Sequence, residues 1–151
     1  MANYYEHART SYFAVKDKEK FLEWANSLPG DSEVVESTAG EKQVAGVDPT
    51  THLYAFIFDK ESGVPTWRTV TRSIHGEDDE ETVDEEIDFA SELSEHLADG
   101  WVAEVRAIGY EKMRYLVGWA VIVNSEGTVK TVNLNDLDHS TLGSHSTGCE
   151  Y

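Results

Sequence analysis

The sequence predicts an α+β fold: an antiparallel sheet of several short strands with two main helices, over about residues 18–28 and 83–98. Three patterns lead there. Apolar residues recur at three- and four-residue spacing in two stretches, the period of a helix with one buried face. Around them lie short runs of β-branched and aromatic residues, separated by turn-forming clusters. Residues 113–124, MRYLVGWAVIVN, form a nearly unbroken apolar run, the pattern of a central strand covered on both faces.

From the N-terminus, TSYFAV (10–15) reads as a first strand. Asp17 is placed to cap the first helix, and Phe21, Trp24, Ala25 and Leu28 form its apolar stripe before Pro29 and Gly30 end it. EVVES (33–37), KQVAGV (42–47), LYAFIF (53–58) and TWRTVT (66–71) follow as short strands, divided by the turns TAGE, DPTT and KESGVP. GEDDEE (76–81) is too charged to pack and reads as a solvated loop. TVDE (82–85) has the spacing of a capping box, with Thr82 as N-cap and Glu85 reaching back to it. Val83, Ile87, Ala90, Leu93 and Leu97 then continue at helical spacing, Phe89 widens the stripe, and Gly100 closes the second helix. WVAEVRAI (101–108), the run 113–124, the turn SEG and TVKTVNL (128–134) supply the last strands.

A single α+β domain is expected over residues 1–138, with a flexible polar tail at 139–151. Both halves, about 1–72 and 82–134, read as a helix followed by strands, without residue-level identity between them.

Charge is where the composition departs from the ordinary. The net charge is −17, yet residues 73–105 alone hold thirteen acids and no Lys or Arg, while the rest of the chain carries sixteen acids and twelve bases. A clustered negative field repels nucleic acid and anionic membranes and attracts basic surfaces. The single cysteine, Cys149, excludes an internal disulfide and suits a reducing compartment. The N-terminus lacks the basic and apolar regions of a signal peptide, and no apolar run approaches the roughly 20 residues of a membrane span. A cytoplasmic protein is expected.

Twelve acids fall between Glu77 and Asp99. Seven lie within the expected helix, and over about 24 Å of helix that is one carboxylate per about 3.4 Å, the axial spacing of phosphates along one DNA strand. Glu85, Asp88, Glu92, Glu95 and Asp99 would form one stripe, with Asp84 beside it, and Glu77, Asp78, Asp79, Glu80 and Glu81 would extend the field through the loop. These residues are the candidate partner-binding surface, with carboxylates standing where phosphates would stand. The competing reading is a solvated face, or salt adaptation of an acidic housekeeping or adaptor domain. Against salt adaptation, the acids are clustered rather than spread, and Lys is as well represented as Arg, seven to five.

Other chemistry finds little support. The acidic runs lack the glycine-bearing spacing of a calcium loop, and His139, His145 and Cys149 lack a nearby fourth zinc ligand. SEHLAD lacks the second histidine of a metalloprotease helix, and no nucleophile elbow or phosphate-binding loop occurs. No catalytic residue, metal or cofactor is expected. His75 and His96 flank the acidic block, whose carboxylates would favour the protonated ring. Of Tyr4, Tyr5, Tyr12, Trp67, Trp101, Tyr110, Tyr115 and Trp119, the two tryptophans Trp67 and Trp101 are the candidates for a contact surface, the others for core.

Through the block 77–99, its size and its charge, the chain resembles the small acidic counter-defence proteins of phages and plasmids, the anti-CRISPR and antirestriction inhibitors, several of which mimic DNA. YFAVKDKEKFLEWANSLPG and ELSEHLADGWVAEVRAIGYEKMRYLVGWAVIVNSEG share a general likeness with uncharacterised mobile-element proteins. The resemblance implies a non-enzymatic inhibitor in the cytoplasm of a bacterial host. Its partner would be a basic nucleic-acid-binding protein or complex of that host, with no direct contact to nucleic acid or membrane. No diagnostic motif transfers an individual residue's role.

Overall fold

In a computed structural model, described over residues 5–30, 32–58, 63–73, 80–111, 115–136 and 144–145, one face of a six-stranded antiparallel sheet carries the core. The elements run β1 (Tyr5–Thr10), α1 (Lys18–Ser27), β2 (Ser32–Thr38), β3 (His52–Phe58), β4 (Trp67–Ser73), β5 (Glu80–Glu86), α2 (Phe89–Ser94), β6 (Val102–Glu111), β7 (Tyr115–Asn124) and β8 (Val129–Asn133). A 3-10 turn at Leu134–Asp136 follows. The large sheet is ordered β2-β3-β1-β6-β7-β8, and β4 and β5 form a separate two-stranded hairpin. The α+β class holds, with the balance towards β. Among the described residues no helix is long and apolar enough to cross a membrane.

Two short helical segments cover the inner face. Asp17 caps α1 by accepting the Lys20 N–H at 3.1 Å, and Phe21 and Ala25 point into the core. Phe21 is fully buried amid Phe13, Trp24, Tyr54 and Phe56, with ring centroids 5.1 to 6.1 Å away. From the second helical segment, Phe89 packs edge-on against Phe56 and Phe58, and Leu93 and Leu97 are buried beside it. Ala8, Ala103, Val105, Ala107, Val121 and Val123 form the sheet's side of this core. A smaller cluster of Ala14, Ala39 and Leu53 lies under the 39–51 segment.

Four expectations need correction. The helix expected over 83–98 is instead strand β5 followed by the six-residue α2, and its cap is Asp88, not Thr82. A helix would stack Asp84 on Asp88 and Asp88 on Glu92 as like-charge pairs four residues apart. In the hairpin, Arg72 stands opposite Glu81, Arg68 opposite Glu85, and the β-branched Val83 opposite Val70. The three- and four-residue spacing of Ile87, Ala90, Leu93 and Leu97 describes burial of a turn and a short helix. KQVAGV is not a strand: Gln43 and Gly46 have positive φ, and Thr38 and Glu41 exchange bonds that fold a turn before it. The Ser37 hydroxyl, then the Thr38 N–H, holds the Glu41 carboxyl below its usual pKa.

The first strand is Tyr5–Thr10, not 10–15; it pairs along its whole length with β6, and Phe13 and Val15 make only single bridges to Tyr54 and Leu97. Its polar sequence hid it, because only Ala8 and Thr10 are buried. Finally, β7 is the fifth of six strands and its outer face is open, with Leu116 and Ile122 exposed. The expected 139–151 tail lies outside the described residues except for Ser144 and His145.

Thr10 marks where β1 leaves β3. Its buried hydroxyl accepts the Phe56 N–H at 2.8 Å and donates to the Ser11 carbonyl at 2.8 Å. Thr10→Val keeps the shape and strands a buried N–H, so denaturant unfolding is expected to report a loss of about 1–3 kcal/mol, with Thr10→Ser losing less.

Candidate functional site: the acidic hairpin and its root

The β4–β5 hairpin sorts its charges between two faces. Residues directly opposite in an antiparallel pair lie on the same face, and faces alternate along each strand. One face carries Arg68 with Glu85, Val70 with Val83 and Arg72 with Glu81; the other carries Trp67 with Glu86, Thr69 with Asp84, Thr71 with Thr82 and Ser73 with Glu80. Arg68, Val70, Val83 and Glu85 are half-buried, and the second face is exposed throughout. Both arginines of the hairpin therefore lie on the inner face. The outer face holds three carboxylates, four hydroxyls and Trp67, which is 57% exposed.

A two-stranded ribbon is marginal alone, and this one makes few contacts with other elements. Its root is held in two ways. The Ile87 N–H donates to the Thr66 carbonyl at 2.7 Å, and Ile87 and Phe89 are buried just beyond. Arg68 is the second tie: its Nε donates to Glu85 at 3.0 Å and its Nη2 to Glu92 of α2 at 2.6 Å, with only a fifth of its side chain exposed. The bond to Glu85, then that to Glu92, raises the guanidinium's already high pKa further. The second oxygen of Glu92 is buried without a hydrogen-bond partner among the described residues. Asp88 is committed as well, accepting the Ser91 N–H at 3.2 Å and the Ser91 hydroxyl at 2.7 Å.

The candidate acids thus separate into groups. Glu80, Asp84 and Glu86 share the exposed outer face; Glu81 is exposed on the other face opposite Arg72; Glu85 and Glu92 are engaged by Arg68; Asp88 caps α2. Glu95 and Asp99 are exposed after α2, away from the strand. Glu77, Asp78 and Asp79 lie outside the described residues. The continuous helical stripe does not form. Same-face residues two apart on a strand are about 6.8 Å apart, so Glu80, Asp84 and Glu86 are spaced at least twice as widely as phosphates along a DNA strand's axis, about 3.4 Å.

Beside the root lies a groove of about 540 Å³ between Val64–Thr66, the β5–α2 junction and strands β6 to β8. Phe89, Val121 and Trp119 are among its walls, and Glu6, Glu86 and Asp88 bring carboxylates to it. The Trp119 indole N–H reaches Glu6 at 3.5 Å. Sequence reasoning missed Arg68, because it counted charge along the chain and Arg68 lies seventeen residues from Glu85. The alternation of TWRTVTR (66–72), with Arg68 and Arg72 two strand positions to either side of Val70, was the available signal. Trp67 is exposed as expected, whereas Trp101 packs between the two apolar clusters and belongs to the core. Among the described residues no group of three His, Cys, Asp or Glu could hold a metal ion.

His96 departs from its expected behaviour. Its ring stacks on Trp24 with centroids 4.8 Å apart and meets Phe21 edge-on. Burial is the largest effect and lowers its pKa; Lys16 acts the same way, while Glu95, Glu92 and Asp17 oppose it without prevailing.

Two outcomes follow from these contacts. Arg68→Met is expected to cost about 2 kcal/mol of stability, and Glu92→Gln in the same chain to recover part of it, read as a coupling in a double-mutant cycle. For His96, the folded state binds its proton less readily than the unfolded chain, so its contribution is complete above the ordinary value of about 6.5 and is lost as pH falls through the lowered folded value. His96→Phe should therefore flatten the fall in melting temperature of the wild type over this acid range.

Comparison with protein-family models, with curated proteins and with solved structures found no match.

Proposed function

We propose that this protein is a non-enzymatic inhibitor that occupies the basic nucleic-acid-binding surface of another protein, such as a CRISPR or restriction complex of a bacterial host. The contact is the outer face of the β4–β5 hairpin. The observation that carries this reading is the segregation of charge: Glu80, Asp84 and Glu86 share an exposed face with hydroxyls and Trp67, and both hairpin arginines lie on the opposite face. A hairpin shaped for solubility alone has no need to keep cations off one side.

The recognition is that of an acidic face rather than a replica of a phosphate ladder. The carboxylates steer a basic partner and make its association salt-sensitive, and the hydroxyls accept or donate at short range. Trp67 provides the large, rigid surface that such contacts bury at their centre. Exposed Glu95 and Asp99 extend the field beyond the hairpin.

The test separates binding acids from structural ones. Glu80→Gln, Asp84→Asn and Glu86→Gln together leave the Arg68 tie and the Asp88 cap intact. With the protein as bait in bacterial lysate and elution by rising salt, the wild type is expected to retain a nucleic-acid-binding complex that DNA or RNA displaces. The triple variant should release it at lower salt, and Trp67→Ala should weaken binding about tenfold or more. Equal retention by wild type and triple variant would refute the proposal and assign the acids to solubility or salt tolerance.

A further inference from the structure

The outer face of the large sheet is open where the sequence calls for cover. Val102, Ile108 and Tyr110 of β6, Leu116 and Ile122 of β7 and Val132 of β8 all face outward, with Ile108 68% and Val132 56% exposed. Leu134 lies over Gly118 on the same side and is itself 54% exposed. A contiguous apolar surface of this kind marks an interface in a soluble protein. The composition of β7 agrees: LVGWAVIV is the pattern of a strand buried on both faces, yet burial is reached only on its inner face, at Val121 and Val123. At the other end of the sheet, the 39–51 segment already covers the outer face over Leu53.

Charge selects the occupant. The same face carries Arg9, Arg106 and Lys130 together with Glu33 and Glu104, by register with Ile57, Ala120 and Ile122. It is nearly neutral in a chain of net charge −17, and the acidic hairpin and α2 belong to the opposite layer. A two-fold contact brings one patch against its own copy, so the patch must be self-complementary. A face of mixed sign and flat apolar surface, with Gly118 and Ala120 near its middle, meets that condition; the acidic face cannot. We propose that a second copy of this chain covers the outer face of β6, β7 and β8, giving a two-fold dimer with an acidic hairpin on each far side.

The experiment is sedimentation equilibrium of the full chain through the micromolar range, for wild type, Ile108→Thr and Val132→Thr. Both substitutions are at exposed, strand-compatible positions, and circular dichroism checks that each folds. A wild-type dimer is expected, with each variant weakening it about tenfold or more, since every lost apolar group is lost twice across the two-fold axis. It should persist in molar salt, and NMR shifts on dilution should fall on β6 to β8. A wild type that stays monomeric overturns the proposal. So does a dimer indifferent to both variants, or one that salt dissolves, because such contacts run through another surface or through the acids. The hairpin reading is tested by different residues on the other layer and stands or falls separately.

Discussion

Arg68 ties the β4–β5 hairpin, which touches little else, to the body of this protein. From β4 it reaches Glu85 on β5 and Glu92 on α2, so one guanidinium closes the hairpin and ties it to the body. The constraint behind this contact is electrostatic. A segment with thirteen acids and no base of its own cannot fold tightly on itself without repulsion. It must borrow its counter-charges from elsewhere in the chain, and β4 supplies two. The strand pairing that follows decides which carboxylates are neutralised, which are buried and which face outward.

That division makes the surface legible. Three acids serve the fold: Glu85 and Glu92 hold Arg68, and Asp88 starts α2. Of the acids facing outward, Asp84 accepts the Thr69 hydroxyl across the ladder at 2.8 Å, and all three share their face with an exposed tryptophan. The large sheet is partitioned in a similar way. Its inner face is closed by α1 and α2 around an aromatic cluster, while its outer face stays apolar and nearly neutral over β6 to β8. The molecule thus has an acidic layer and an apolar one. Each suits a different kind of contact, since the first attracts only opposite charge and the second tolerates its own likeness.

The aromatic cluster explains why so small a body holds these two surfaces apart. Phe21 touches ring neighbours from α1, β3 and the segment after β1, and Phe89 brings the root of the hairpin to the same place. Large rings bury much area per residue and dominate the energetics of a core. His96 is drawn into this environment by stacking on Trp24, and it loses basicity there even though carboxylates stand nearby. Desolvation outweighs the neighbouring charges because those charges remain partly in water, where their reach is screened.

The sequence by itself determined what depends on neighbours along the chain. Asp17 capping the first helix, the stripe Phe21, Ala25 and Leu28, and the strands at 53–58 and 101–108 follow from local spacing and propensity, and they occur near the expected places. It also located the acidic block and singled out Trp67. It did not determine the conformation of that block, because TVDEEIDFASEL satisfies a helical period through Val83, Ile87, Ala90 and Leu93 and a strand through its β-branched residues alike. Only tertiary pairing with β4 chose between them, by offering Arg68 and Arg72 at the right register. The sidedness of the charge was equally hidden, since whether Glu86 faces water or Arg68 depends on which residue stands across the ladder. β1 was missed for the same reason: YEHART has little apolar pattern of its own, and its place at the middle of the sheet comes from β6 on one side and β3 on the other. Local order is written in short-range spacing, whereas the surface presented to a partner is set by contacts between residues far apart in the chain.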